Sequence, residues 1–279
     1  MVNVRPDAAN AAVVQARHRV LEGMGRRPVW WREGIFIAVG YLLYTVTRNA
    51  APRRIAAARH HASAVYDVER WLHLDIELTL NQLLTAHRAL AILASYYYAT
   101  LHFVVTLAVL VWAYHAHPER YRAARTVLVL TTLTALALFW LYPLAPPRLA
   151  DLGFVDTVDS VHLWGGAAWN SPDVASVSNE FAAMPSLHFA WAVWSAGVVI
   201  WLAKSRVRIV ALCYPALTLM VVIATANHFV LDAVAGLAVL LLAVVLTLGP
   251  RRTDATREAT SEPERRPAAT HAPADFTVR

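Results

Sequence analysis

The sequence predicts an all-α, polytopic membrane bundle of about six transmembrane helices, with an amphipathic helical segment beside it. Two observations carry this. Hydrophobic residues make up 58% of the 279-residue chain and charged residues only 16%, where soluble domains sit near 25% charged. The deficit is concentrated in long uncharged runs, and a helix needs about 20 apolar residues to cross a bilayer. Ten Trp and ten Tyr fit belts of aromatic side chains at headgroup level. The one cysteine, Cys213, lies inside an apolar run, which excludes a disulfide framework and a Cys-based zinc site.

The first apolar run, 34–47, is short and follows Trp30 and Trp31. It spans a bilayer if Arg32 and Glu33 stand at the interface. It starts too late, and lacks the small-residue cleavage site, for a cleavable signal peptide. Residues 52–88 alternate charge with Ile55, Val65, Val68, Trp71 and Leu72. That pattern predicts an amphipathic helix, lying on the membrane or packed on the mouth of the bundle. The runs 89–114, 126–145, 187–203, 209–226 and 229–248 are the other five spans. His102, in the second span, reads as an interhelical hydrogen bond, and Asp232 is the one acid of the last span. Residues 1–27 form an N-terminal segment, and 249–279, rich in Pro, Ala and charge, a disordered tail.

The net charge is +6. Its basic residues flank spans instead of clustering in a polar domain, so they read as topology control and not as a nucleic-acid surface. The N-terminus, the loop 115–126, the loop 204–208 and the tail fall on one side of a six-span chain. Three of these are clearly positive, which makes that side cytoplasmic. The loop 144–184 has Arg148 against Asp151, Asp156, Asp159, Asp173 and Glu180, and falls outside. The basic 52–88 segment falls outside too, against the rule.

An up-and-down bundle brings four polar features to that outer face. They are Arg148 after Pro146-Pro147, the helix start Pro185-Ser186-Leu187-His188, the pair Asn227-His228, and Asp232. His228 and Asp232 are spaced i, i+4 and share a helix face. A carboxylate there can take the proton of one imidazole nitrogen and leave the other lone pair exposed. An ionisable residue within a span is costly unless it is paired or functional. A helix opening at Pro185-Ser186 offers N–H groups and a hydroxyl to an anion. The Arg148 fork matches phosphate oxygens. Taken singly, each feature has a plainer reading. The Pro-Pro-Arg is a helix stop with an interfacial Arg, and Asp232 a structural partner of Arg148. His188, His228 and Asp232 also compose a two-His, one-carboxylate metal set, and two histidines a haem ligand pair.

As an ordered set, Pro147-Arg148, Pro185-Ser186-Leu187-His188 and His228 with Asp232 resemble the three-motif signature of the type 2 phosphatidic acid phosphatase superfamily. The stretches LYPLAPPRL, AAMPSLHFAWAVW and ATANHFVLDAVAG are similar to actinobacterial members of its branch containing inositol phosphorylceramide synthase. The resemblance covers roughly residues 28–248 and implies a membrane-embedded lipid phosphatase or phosphotransferase without metal or cofactor. It implies that His228 is the nucleophile that becomes phosphohistidine and that Asp232 orients it. His188 is then the acid and base, and Arg148 and Ser186 hold the phosphate oxygens. The phosphatase form has a Lys where this chain has Leu141, a Gly where it has Leu187, and Ser-Arg where it has Val221-Val222. Two cations that would hold a monoester dianion are therefore missing. A diester carries one charge and requires less neutralisation. The expected reaction is transfer of a phosphoryl headgroup, such as phosphoinositol, from a membrane phospholipid to a hydroxyl acceptor. The alternatives are hydrolysis of a lipid phosphomonoester such as phosphatidate or a polyprenyl phosphate and, in another class, a metal- or haem-binding membrane protein or a transporter with an Asp–His relay.

Overall fold

The computed structural model describes residues 28–50, 54–160 and 181–249. The predicted N-terminal segment, the tail from 250 and residues 161–180 of the acidic loop lie outside the described residues. What is described is helical and organised as a bundle. The helices are α1 (Trp30–Ala50), α2 (Ile55–Trp71), α3 (Glu77–Thr85), α4 (Arg88–Ala116), α5 (Pro118–Leu141), α6 (Leu187–Leu202), α7 (Val207–Ala224) and α8 (Val230–Leu248). Among the described residues α4, α5, α7 and α8 are long and apolar enough to cross a membrane, and α6 is a shorter apolar helix.

All six predicted runs are helices, with shifted ends. The third begins at Pro118, inside the stretch read as a loop, because its charges are used in packing. Arg125 Nη1 pairs with Glu33 Oε2 of α1 at 2.5 Å, and the Tyr121 hydroxyl donates to the same oxygen at 3.0 Å. Tyr114 donates to Pro28 O at 2.7 Å. Together these bonds pin the start of α1 to the α4–α5 hairpin and neutralise Glu33.

Two main apolar clusters, and a third of Ala135, Leu136, Phe139 and Leu187, hold the bundle. The larger joins α4, α5, α6 and α8 through Val109, Leu110, Tyr121, Trp194, Val198 and Leu240. Trp194 Nε1 donates to Ala124 O at 3.0 Å, and Trp191 Nε1 to Thr132 Oγ1 at 3.1 Å, so α6 is keyed to α5 by polar as well as apolar contact. The smaller cluster, at one mouth, gathers Ala58, Ala62 and Val65 of α2 with Leu144, Ala145, Ala183 and Phe229. The 52–88 segment is thus two helices packed on the bundle mouth. The chain reverses between them at His73, whose φ of 57° is left-handed.

Candidate active site

The loop after α5 places Arg148. Leu144 N donates to Phe181 O (2.9 Å), Ala145 N to Ala58 O (3.1 Å), and Arg148 N to Ala226 O (3.0 Å). His61 Nδ1 lies 2.8 Å from Pro143 O. Backbone bonds thus stitch this loop to α2, to the strand-like stretch before α6 and to the α7–α8 turn. Irregular backbone at the mouth of a membrane bundle requires such partners.

The α7–α8 turn presents His228. α7 ends with Ala226 in the left-handed conformation (φ 55°), with Ala226 N donating to Ile223 O and Asn227 N to Val222 O. This is the Schellman arrangement, in which glycine is usual at the Ala226 position. His228 N also donates to Val222 O, at 3.1 Å. Asn227 is clamped by its own amide, which donates to Thr225 Oγ1 at 2.9 Å, so its Oδ1 is aimed at Arg148 Nε, 3.0 Å away.

The five residues expected from the sequence meet here. His228 Nδ1 is 3.3 Å from Asp232 Oδ2, and the same oxygen accepts from Phe229 N at 3.0 Å. Asp232 is fully buried and His228 nearly so. With Nδ1 turned to the carboxylate, Nε2 faces His188, whose Nδ1 is 3.4 Å away. His188 stacks on Tyr98, ring centroids 4.3 Å apart, and its other close ring neighbour is His102 at 4.0 Å. Tyr98 belongs to a π-helical turn, Tyr97–Leu101, inside α4. Such turns recur at functional sites because they displace side chains from the regular helix face. His102 therefore packs in the site, with Nδ1 3.1 Å from Tyr98 O of its own helix.

Ser186 caps α6, its Oγ accepting from Phe189 N at 3.4 Å, and its backbone N–H donates to Asp232 O at 2.9 Å. Gly236, one turn beyond Asp232, lets this happen. A Cβ there would press far inside contact on the carbonyl oxygen of Ser186, with the carbonyl carbon at 3.2 Å. Arg148 Nη1 pairs with Asp156 Oδ2 at 2.6 Å. Asn81 holds the loop that brings Asp156. Its Nδ2 donates to Val155 O, Thr157 Oγ1 and Ala224 O, while its Oδ1 accepts from Val155 N at 2.8 Å.

A family model, that of the PAP2 superfamily, matches residues 63–246. The chain belongs to that superfamily. Its members are generally phosphatases or phosphotransferases, and this protein is an enzyme of that kind. Comparison with curated proteins and with solved structures gave no match.

Sequence reasoning missed Glu69, Glu77, Asn81 and Gly236, and counted Asp156 only as loop charge. Glu69 and Glu77 are fully buried. Glu69 Oε1 accepts from Leu231 N at 2.7 Å, and Glu77 Oε1 from Val230 N at 3.0 Å. In the sequence they look like the polar face of an amphipathic helix, because their partners are backbone groups some 150 residues away. Of the two positions where a phosphatase form carries cations, Val222 is buried, while Leu141 is 75% exposed at the end of α5. A charge argument at this site therefore rests on Val222 and Asp156, and Leu141 adds nothing to it.

Proposed function

We propose that the enzyme transfers a phosphoryl headgroup from a membrane phospholipid to a hydroxyl acceptor through a phosphohistidine at His228, as in the branch resembling inositol phosphorylceramide synthase. His228 Nε2 attacks phosphorus, and the bond from phosphorus to the lipid alcohol breaks as His188 protonates the departing oxygen. The acceptor hydroxyl then gives its proton to His188 and attacks phosphorus, breaking the P–N bond and regenerating His228. Asp232 keeps His228 in the tautomer with the Nε2 lone pair and stabilises the imidazolium. Arg148, Ser186 and the start of α6 meet the equatorial oxygens. Asp232 lies on the Nδ1 side of His228 and His188 on the Nε2 side. That sequence suits proton handling better than three ligands converging on one metal ion.

The observation carrying the diester reading is the Arg148–Asp156 pair at 2.6 Å. Arg148 already has a carboxylate beside it, so a dianionic monoester adds two negative charges next to Asp156. A diester adds one. A unit charge about 6 Å away in a partly wet site is worth on the order of 1–2 kcal/mol. The test compares kcat/KM of purified enzyme on phosphatidylinositol and on phosphatidate. The diester is expected to be the better substrate, and Asp156→Asn to move the ratio towards phosphatidate roughly tenfold. A clear preference of the parent enzyme for phosphatidate would replace transfer with monoester hydrolysis.

A further inference from the structure

Three successive N–H groups open α8, and a carboxyl group takes each one. Phe229 N goes to Asp232, Val230 N to Glu77 and Leu231 N to Glu69. Asp232 is the group that orients His228. The two glutamates come from α2 and α3, outside the apolar spans. They are brought side by side by the reversal at His73, where Leu74 N closes on Glu69 O at 2.8 Å. Both are fully buried, and neither is ion-paired among the described residues. Each leaves Oε2 buried, with no hydrogen-bond partner outside the pair.

Two ionised carboxylates in such a place repel one another and lose hydration against a single backbone N–H each. One proton between the two Oε2 atoms removes both costs and leaves a single negative charge, which the positive end of α8 attracts. In line with this, burial first, and then the hydrogen bond with Glu77, lift Glu69 from the usual 4.5 to about 9.

We propose that Glu69 and Glu77 are positioning residues, a carboxyl pair sharing one proton that clamps the first turn of α8 and so fixes the His228–Asp232 pair against His188. They touch neither phosphorus nor the acceptor. The clamp joins the helices at the mouth to the helix that bears Asp232 and follows directly on His228, so losing it shifts the reacting pair without removing any reacting atom. The proposal rests on the reading of His228 as nucleophile.

The test uses the full chain in detergent or nanodiscs, with fluorescent phosphatidylinositol or phosphatidate, whichever the parent enzyme turns over faster. Glutamine can replace either partner singly. Its carbonyl accepts the α8 N–H, and its amide N–H stands in for the shared proton. Glu69→Gln and Glu77→Gln are therefore expected to keep kcat within about threefold, while Glu69→Ala loses about 10²-fold in kcat with KM nearly unchanged. The double Gln variant puts two donors face to face and is expected to fall with the Ala variant. Assays well below each variant's Tm separate this loss from unfolding. If Glu69→Ala does not fold, the two single Gln variants against the double one decide. Two results would overturn the proposal: a single Gln variant as impaired as the Ala or double variant, or a folded Ala or double variant with parental kcat. Trapping of phosphoenzyme distinguishes the parent reading. If His228→Ala still forms it, the nucleophile assignment fails, whatever the glutamates do. If His228→Ala abolishes it and Glu69→Ala only slows it, both stand.

Discussion

Gly236→Ala adds one methyl group at the tightest approach in the site. Ser186 lies across α8 with its N–H on Asp232 O at 2.9 Å and its carbonyl directly over Gly236. That carbonyl oxygen also accepts the first bond of α6, from Ala190 N at 3.1 Å. The new methyl thus meets rigid backbone instead of a side chain that can swing away. Ordinary carbon contacts lie near 3.5–4 Å, so α6 and α8 must part by about 1 Å. His188 rides on α6, and His228 and Asp232 stand beside and on α8, so the two imidazoles are displaced relative to a phosphorus held between them. A misplacement of about 1 Å costs roughly 10²-fold in rate. Stability should respond less. Overpacking costs about 1–3 kcal/mol, but alanine is better than glycine in a helix interior by about 1 kcal/mol. The expected result is a folded protein with kcat down about two orders of magnitude and Tm little changed. Gly197→Ala, on the open side of α6 with nothing within 4 Å, is the control and should keep parental kcat. If Gly236→Ala kept kcat within threefold, the claim that backbone contact between α6 and α8 sets the histidine spacing would be refuted.

Other expectations follow from the same geometry. His228→Ala should lose several orders of magnitude in turnover, and Asp232→Asn at least about 10²-fold while still folding; measured residual activity in purified protein decides, and substantial turnover in His228→Ala would remove the nucleophile assignment. Activity should survive excess EDTA, since the two histidines are assigned nucleophilic and acid–base work; loss restored by zinc would favour a metal site. Cysteine placed at Ser171, in the stretch outside the described residues, should react with an impermeant thiol reagent in intact cells, and labelling only after lysis would invert the orientation. Glu69 holds a proton in the folded protein that the unfolded chain releases near 4.5. Its stabilising contribution is thus complete below that pH and is lost as pH rises through about 9. Tm should decline across this window and flatten in Glu69→Gln, and an identical decline in that variant would assign the proton elsewhere.

The apolar runs were legible because a helix that crosses a bilayer needs one, and each run became a helix, four of them among the described residues long and apolar enough to cross. Their ends were less legible. Charge at Arg120, Arg122 and Arg125 looked like a loop, yet α5 runs through it, because Arg125 finds Glu33 across the bundle. Site residues defined by local spacing were readable. His228 and Asp232 are only four residues apart, although they meet across the start of α8, with His228 in the preceding turn, and not on one helix face; Pro185-Ser186 needs only a helix start. The groups that position them were not. Glu69, Glu77 and Asn81 act on backbone atoms of distant segments, and backbone partners leave no mark in a sequence. Asp156 was visible only as one of several acids, since nothing local says that Asn81 turns its loop towards Arg148.

Under the proposed chemistry, the resting distance between the two imidazoles has a consequence. A nucleophile stands about 3–3.5 Å from the atom it attacks, and an acid about 2.6–3.2 Å from the oxygen it protonates. With nucleophile and leaving oxygen on opposite sides of phosphorus, both conditions cannot hold while His228 Nε2 and His188 Nδ1 are 3.4 Å apart. The substrate has to part them. The α8 side resists, because its first turn is bound by three carboxyls and Asp232 is itself tied to Ser186 N. The partner across the gap packs against Tyr98 and His102, at a turn of α4 that is already wound wider than an α-helix. A π turn can take up or release a residue's worth of rotation without breaking the helix on either side. The fold thus pairs a fixed nucleophile with an acid backed by the one π-helical turn among the described apolar helices, and α4 is where accommodation of the headgroup should be sought.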